Sequence, residues 1–293
     1  MAPTGSTATG FLNVDKPAGW TSHDVVARCR RLLGLRRVGH AGTLDPDATG
    51  VLVVAAGPAT RLLRFLAPLT KRYEGEMVLG VATSTLDAAG EVTGRWDMAG
   101  VDLGRLRAAA AGLTGDIMQV PPMVSAVQVG GRRLHDLARQ GIEVERAPRA
   151  VTVERFDVTP GSEPSVFCFE VDCSSGTYVR VLVADLGEAV GGGAHLRRLR
   201  RTAVGPFAVD DAVPLDRVGP DRLMPPAAAL SFLPTVALGD EGLDAVRHGR
   251  PITAPEAGAE GPWALTGPAG ELVAVYEGDG RGGLRAAVVL APA

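Results

Sequence analysis

Apolar runs alternate with turn-forming residues along the chain, and the period of each run predicts its element. Phe11-Leu12-Asn13-Val14 reads as a short strand closed by Asp15-Lys16-Pro17-Ala18-Gly19. Val25, Val26, Cys29, Leu32 and Leu33 then recur at helical spacing, which predicts a helix capped by Thr21 or Ser22 and stopped by Gly34. Between Gly39 and Gly50 lie three glycines and a proline, a composition that sustains neither helix nor strand. The β-branched run Val51-Leu52-Val53-Val54 behind it reads as a buried strand. A short helix is predicted over Ala59 to Leu66. From Lys71 to Val81, Tyr73, Gly75, Met77 and Leu79 alternate with Glu74, Glu76 and Val78, the period of a strand.

The same reading gives a polar loop from Thr83 to Gly90 and an alanine-rich helix from Leu103 to Leu113. It gives strands over Val151 to Val158 and Val166 to Cys173, and a helix over Val181 to Val190. A Pro/Asp-rich connection runs from Val213 to Pro226, and closely spaced Gly/Pro turns beyond it predict a small β-rich domain. The expected organisation is a tail over residues 1–10, a main domain over 11–212, a linker over 213–226 and a small domain over 227–293. No repeat and no low-complexity tract interrupts it.

With 46% hydrophobic residues the chain has ample material for a core, and no stretch approaches the ~18 uninterrupted apolar residues of a membrane span. The first ten residues lack the basic and apolar regions of a secretory signal. Three cysteines, Cys29, Cys168 and Cys173, include no Cys-x-x-Cys pair, which argues against a disulfide framework or zinc ribbon and fits a reducing cytoplasm. The net charge of −3 is no signature of nucleic-acid binding, but the halves differ. Residues 1–207 hold 24 Lys+Arg against 21 Asp+Glu, whereas residues 208–293 hold 6 against 12. Cations cluster at Arg28, Arg30, Arg31, Arg36 and Arg37, and again at Arg197, Arg198, Arg200 and Arg201, and phosphate contacts need such local patches. Lys16 and Lys71 are the only lysines, so arginine dominates throughout and each arginine is a weaker sign of phosphate recognition.

The candidate chemistry centres on Asp45, a carboxylate on a tight loop that feeds a core strand, with His40 on the upstream limb. Three readings fit the loop alone. Asp-Pro-Asp is a good turn in its own right. Asp45-x-Asp47-x-Thr49 matches the signature of aspartate-nucleophile phosphatases, but there the apolar strand precedes the aspartates and here it follows. The third reading is a catalytic loop.

Gly39-His40-Ala41-Gly42-Thr43-Leu44-Asp45-Pro46-Asp47-Ala48-Thr49-Gly50 resembles the catalytic-aspartate motif of the TruB-type tRNA pseudouridine synthases. The likeness extends from about Phe11 to Phe207: it includes Asp15-Lys16-Pro17-x-Gly19-x-Thr21-Ser22, Gly176-Thr177-Tyr178-Val179-Arg180 and Gly191 to Thr202. It implies the pseudouridine-synthase α/β (α+β) fold, a mixed and largely antiparallel sheet with flanking helices. Leu243 to Ile252 looks like part of an RNA-binding PUA-type domain, a weaker likeness. The implied activity is isomerisation of uridine 55 in the T-arm of tRNA on a flipped-out nucleotide, without cofactor or metal, by a monomer needing no protein partner and no membrane.

The resemblance makes Asp45 the nucleophile and Arg180 the cation that keeps it ionised. Tyr73 lies against the uracil, Tyr178 and Leu199 line the pocket, and His40 contacts RNA in the space left by the flipped base. Lys16 and Lys71 are expected phosphate contacts, and the arginine-rich segment from Gly130 to Arg149 resembles the family's RNA clamp. Val124, Gln128 and His135 depart from the family pattern there, where tyrosine, lysine and tyrosine are common. A non-catalytic tRNA-binding or tRNA-folding protein on the same scaffold is the alternative, against which the intact set of Asp45, Tyr73 and Arg180 argues.

Overall fold

The computed structural model describes residues 8–290 apart from 126, 249, 254–260 and 281–282. The expected tail therefore lies largely outside the described residues, but Gly10 already opens a strand.

In chain order, β1 (Gly10–Lys16) leads to α1 (Ser22–Leu33), β2 (Val38–His40) and β3 (Thr49–Ala56). A 3-10 turn over Gly57–Leu62 runs into α2 (Leu63–Leu66), then β4 (Lys71–Leu79), β5 (Val81–Thr83) and β6 (Val92–Arg95). α3 (Leu103–Gly112), β7 (Gly115–Gln119), β8 (Gln128–Val129), β9 (Arg132–Arg133) and α4 (Leu134–Ala138) follow. Next come β10 (Arg149–Pro160), β11 (Val166–Cys173), α5 (Val179–Ala189), β12 (Ala194–Val204), β13 (Phe207–Ala208) and β14 (Val213–Pro214). The C-terminal part holds α6 (Pro226–Ala229), β15 (Thr235–Ala237), α7 (Asp240–Arg247), β16 (Ile252–Thr253), β17 (Trp263–Thr266), β18 (Leu272–Gly278) and β19 (Gly283–Val289).

Local chemistry explains these boundaries. Thr21 caps α1 in a full capping box, its hydroxyl accepting from Asp24 N–H while Asp24 accepts from Thr21 N–H, and Gly34 ends the helix in the left-handed conformation at φ 65°. The predicted helix over 59–66 is instead a 3-10 turn followed by one α-turn. Gly57 at φ 64° and Pro58 start it, and Pro58 has no N–H to give. Gly80, at φ 85°, divides the predicted strand over 71–81 into β4 and β5.

The chain forms two compact units. One takes residues 1–46, 52–67 and 210–293, the other residues 47–51 and 68–209. In the first, β1 lies between β14 and β3, and β14 runs parallel to β1 with Val213 opposite Val14. The face of α1 made by Val25, Val26, Cys29 and Leu33 packs on Leu12, Val14, Leu52 and Val54. Residues 213–226, expected as a linker, are built into this unit. Besides the β14 pairing, Phe11 and Met224 exchange backbone hydrogen bonds of 2.9 and 2.7 Å. A five-stranded sheet in the order β15-β17-β18-β19-β16 closes over α7 through Val246, Leu265, Val273, Tyr276 and Leu284, the small β-rich C-terminal part that the turn spacing predicts. Arg61 donates to the Val289 carbonyl at 2.7 Å and Arg64 pairs with Glu277 at 3.1 Å, fixing that sheet to the residues after β3.

The second unit is the sheet β12-β4-β11-β10-β7, antiparallel at each of those junctions, with the opening of β3 parallel to β12. α5 packs on β12 and α3 on β10. The strand system is mixed and largely antiparallel with flanking helices, as the resemblance implies.

Candidate active site

Asp45 is half-buried on the bend between β2 and β3, and the residues on both sides of it are clamped. Upstream, the Ser22 hydroxyl accepts from Leu44 N–H at 2.8 Å and donates to the Leu44 carbonyl at 3.1 Å. Downstream, the Pro46 carbonyl accepts from Lys16 Nζ at 2.7 Å and from Gly19 N–H at 3.0 Å. Pro46 also biases Asp45 itself towards extended backbone. The Asp-Lys-Pro-x-Gly-x-Thr-Ser stretch of the sequence is thus the socket of the loop. His40, on β2, accepts from Gly42 N–H at 3.2 Å through Nδ1.

The two lysines expected as phosphate contacts are both buried. Lys16 is 0% exposed, and its ammonium also donates to the carbonyls of Pro17 at 3.0 Å and Trp20 at 2.6 Å. Lys71 is 6% exposed and donates to the Leu69 carbonyl at 2.5 Å. Burial, with the Arg201 guanidinium nearby, lowers its pKa from 10.5 to about 8. Neither ammonium faces solvent, where a phosphate would meet it. The cluster over 197–201 is in part engaged by the protein's own groups. Arg197 pairs with Glu163 at 2.8 Å and Glu76 at 3.7 Å, Arg198 with Glu76 at 3.8 Å, and buried Arg201 donates to the Val51 carbonyl at 2.7 Å.

In the second unit, β4 places Tyr73 opposite Val171 of β11 and Arg201 of β12. Leu199 pairs with Gly75, so it shares a sheet face with Tyr73 one diagonal step away. Leu199 is therefore a strand residue. Gly75 leaves no room on that face: a Cβ there would lie 2.5 Å from the Arg198 carbonyl and 2.5 Å from the Phe169 ring. Tyr73 is 8% exposed and Leu199 half-buried.

Tyr178 and Arg180 stand at the start of α5. Gln119, itself buried, holds Tyr178 by both backbone groups, accepting its N–H at 3.0 Å and donating to its carbonyl at 3.4 Å. Arg180 is 4% exposed; it donates to the Val124 carbonyl at 2.7 Å, and its other terminal nitrogen lies 3.5 Å from an Asp87 oxygen. Asp87 is held in turn by Thr85 Oγ1 at 2.5 Å and Ala89 N–H at 3.1 Å. Sequence reasoning missed Gln119 and Asp87. Gln119 was visible only as a residue two positions before a Pro-Pro pair. Asp87 lay in a polar loop whose one signal is a Thr-x-Asp spacing.

Val124, whose carbonyl Arg180 holds, lies shortly before the clamp-like segment over 130–149. Arg146 donates to the Pro121 carbonyl at 3.1 Å and Arg132 to the Gln140 side chain at 2.6 Å, while Arg139 and Arg149 are exposed. Val124 and Gln128 are also exposed, and the His135 side chain lies outside the described residues.

A carboxylate on a bend clamped from both sides, a largely antiparallel sheet that carries a buried tyrosine, and a buried arginine at the start of α5 define the class: a pseudouridine-synthase fold with an aspartate loop. The chain belongs to the TruB family pseudouridylate synthases, whose N-terminal domain matches residues 30–179, followed by the tRNA pseudouridylate synthase B C-terminal domain over residues 180–221. It is 48% identical over 288 residues to tRNA pseudouridine synthase B of Rhodococcus jostii, covering 95% of this chain and 93% of that one. It is 48% identical to the protein of the same name from Thermobifida fusca, covering 92% and 94%. Among solved structures, a Cbf5–Nop10–Gar1 complex matches with a TM-score of 0.75 at 29% identity, covering 98% of this chain and 86% of that one.

Proposed function

We propose that this protein is an isomerase that converts uridine 55 in the T-arm of tRNA to pseudouridine, with Asp45 as its nucleophile. The observation that carries the reading is the match to the family over residues 30–221, with the aspartate loop held rigidly within it. The reaction breaks the N1–C1′ bond of the uridine, turns the uracil, forms a C5–C1′ bond, loses the proton from C5 and gains one at N1. Every heavy atom of the base is retained and no net oxidation occurs, so no cofactor or metal is called for. The target atom is shielded in stacked RNA, so the uridine is flipped out.

In this reading Tyr73 and Leu199 contact the uracil from one sheet face, and Tyr178 and Arg180 approach it from the start of α5. His40 contacts RNA beside the aspartate loop, and the exposed arginines of the segment over 130–149 grip the tRNA backbone. The β-rich C-terminal part, PUA-like in this reading, carries the acidic balance of the chain and contributes little to phosphate affinity. The protein acts as a monomer in the cytoplasm. Among the described residues no helix is long and apolar enough to cross a membrane.

Incubation with an unmodified tRNA transcript, followed by pseudouridine mapping, tests the proposal. Pseudouridine is expected at position 55, in full yield with a chelator present, and absent when that position is cytidine. No pseudouridine, or product at another position, would refute it.

A further inference from the structure

We infer that Ser22 is a positioning residue for the reaction, acting through the peptide group that joins Leu44 to Asp45; the inference rests on the reading of Asp45 as nucleophile. Ser22 is the first residue of α1 and 2% exposed, yet its hydroxyl takes no part in capping, which Thr21 and Asp24 accomplish between them. Both of its hydrogen bonds go instead to one residue 22 positions away, accepting the N–H and donating to the carbonyl of Leu44. It stands in for the partner strand that the bend lacks.

The consequence follows from which bonds remain soft. Pro46 confines ψ of Asp45, and its carbonyl is anchored by Lys16 and Gly19. The direction in which the Asp45 Cα–Cβ bond leaves the backbone then depends on φ, the rotation about N–Cα, and the peptide plane on the near side of that bond carries the Leu44 oxygen that Ser22 holds. A turn of about 20° about this bond moves a carboxylate oxygen by roughly 1 Å. A displacement of that size costs about a hundredfold in rate at a reacting centre. The foundation of the hydroxyl is rigid, because α1 is capped at both ends and its Val25, Val26 and Cys29 are packed in the core.

The experiment measures single-turnover pseudouridine formation in the tRNA-bound complex, tRNA affinity and melting temperature for wild type, Ser22→Ala, Ser22→Cys and Val25→Ala. Val25→Ala removes packing from the same helix without touching the loop. We expect Ser22→Ala to lower the bound-complex rate about ten- to a hundredfold with tRNA affinity within about twofold of wild type. Ser22→Cys, with a weaker donor and acceptor of similar volume, should fall between. Val25→Ala should melt earlier yet keep the wild-type rate at a temperature where all the proteins are folded. An undiminished rate in Ser22→Ala, a loss confined to tRNA affinity, an equal rate loss in Val25→Ala, or failure of both Ser22 variants to fold would each overturn the inference. An inactive wild-type protein would instead overturn the function proposed above.

Discussion

Replacing Lys16 by methionine separates two roles that a lysine beside an RNA site could have. The side chain is fully buried, and its ammonium donates to the carbonyls of Pro17, Trp20 and Pro46 at 3.0, 2.6 and 2.7 Å. Hydrogen bonds from a charged donor contribute about 1.5–3 kcal/mol each, and part of that is offset by the dehydration of the ammonium. Methionine fills most of the volume, removes that dehydration cost and leaves the Pro46 carbonyl with Gly19 N–H at 3.0 Å. The net loss should be about 2–4 kcal/mol, a fall in melting temperature of roughly 5–10 °C. Urea unfolding gives the free energy, and tRNA binding across a salt series gives the number of phosphates neutralised. A pin leaves the salt slope unchanged, whereas loss of a phosphate contact flattens it by about 0.7–0.9. Wild-type stability together with a flattened slope would refute the role assigned to Lys16.

Lys71 should give the protein an alkaline signature. Its pKa is about 8 in the folded state against 10.5 ordinarily, so between those values the unfolded chain binds more protons and stability rises with pH. The unfolding free energy of wild type minus that of Lys71→Met should therefore climb by roughly 3 kcal/mol at most from pH 8 to 10.5 and stay level below pH 8; a flat difference throughout would contradict this. Gly75→Ala forces a methyl against the Arg198 carbonyl and the Phe169 ring, and denaturant unfolding should show a loss of about 1–3 kcal/mol, unlike an ordinary Gly-to-Ala change in a strand, which should be neutral or better. Arg180→Met removes the buried donor to the Val124 carbonyl and the cation beside Asp87, so stability should drop by about 3 kcal/mol and turnover should be lost. Measurable turnover in a folded Arg180→Met protein would remove Arg180 from the site.

Where a residue's neighbours in sequence decide its conformation, the chain could be read directly. Thr21 with Asp24 and Gly34 bound α1 as the cap chemistry requires, and β11 begins and ends where its apolar pattern does. Long-range partners were hidden. Lys16 looks like a solvent lysine until the Pro46 carbonyl, 30 residues on, accepts its hydrogen bond, and the Pro/Asp-rich stretch after Val213 looks like a linker until β1 offers it an edge. Leu199 shares a sheet face with Tyr73 only through the pairing of β12 with β4. Asp45 was legible because a glycine-rich bend before an apolar strand is unusual and the family motif is specific. Asp87 was not, because its meaning lies in a guanidinium more than ninety residues away.

The account stands on a single carboxylate, and Asp45→Asn tests it with almost no change of shape. Binding of an unmodified tRNA transcript should stay within about twofold of wild type, while pseudouridine at position 55 falls below detection after incubation long enough for complete conversion by wild type. Pseudouridine formed by folded Asp45→Asn at a rate approaching that of wild type would contradict the central claim.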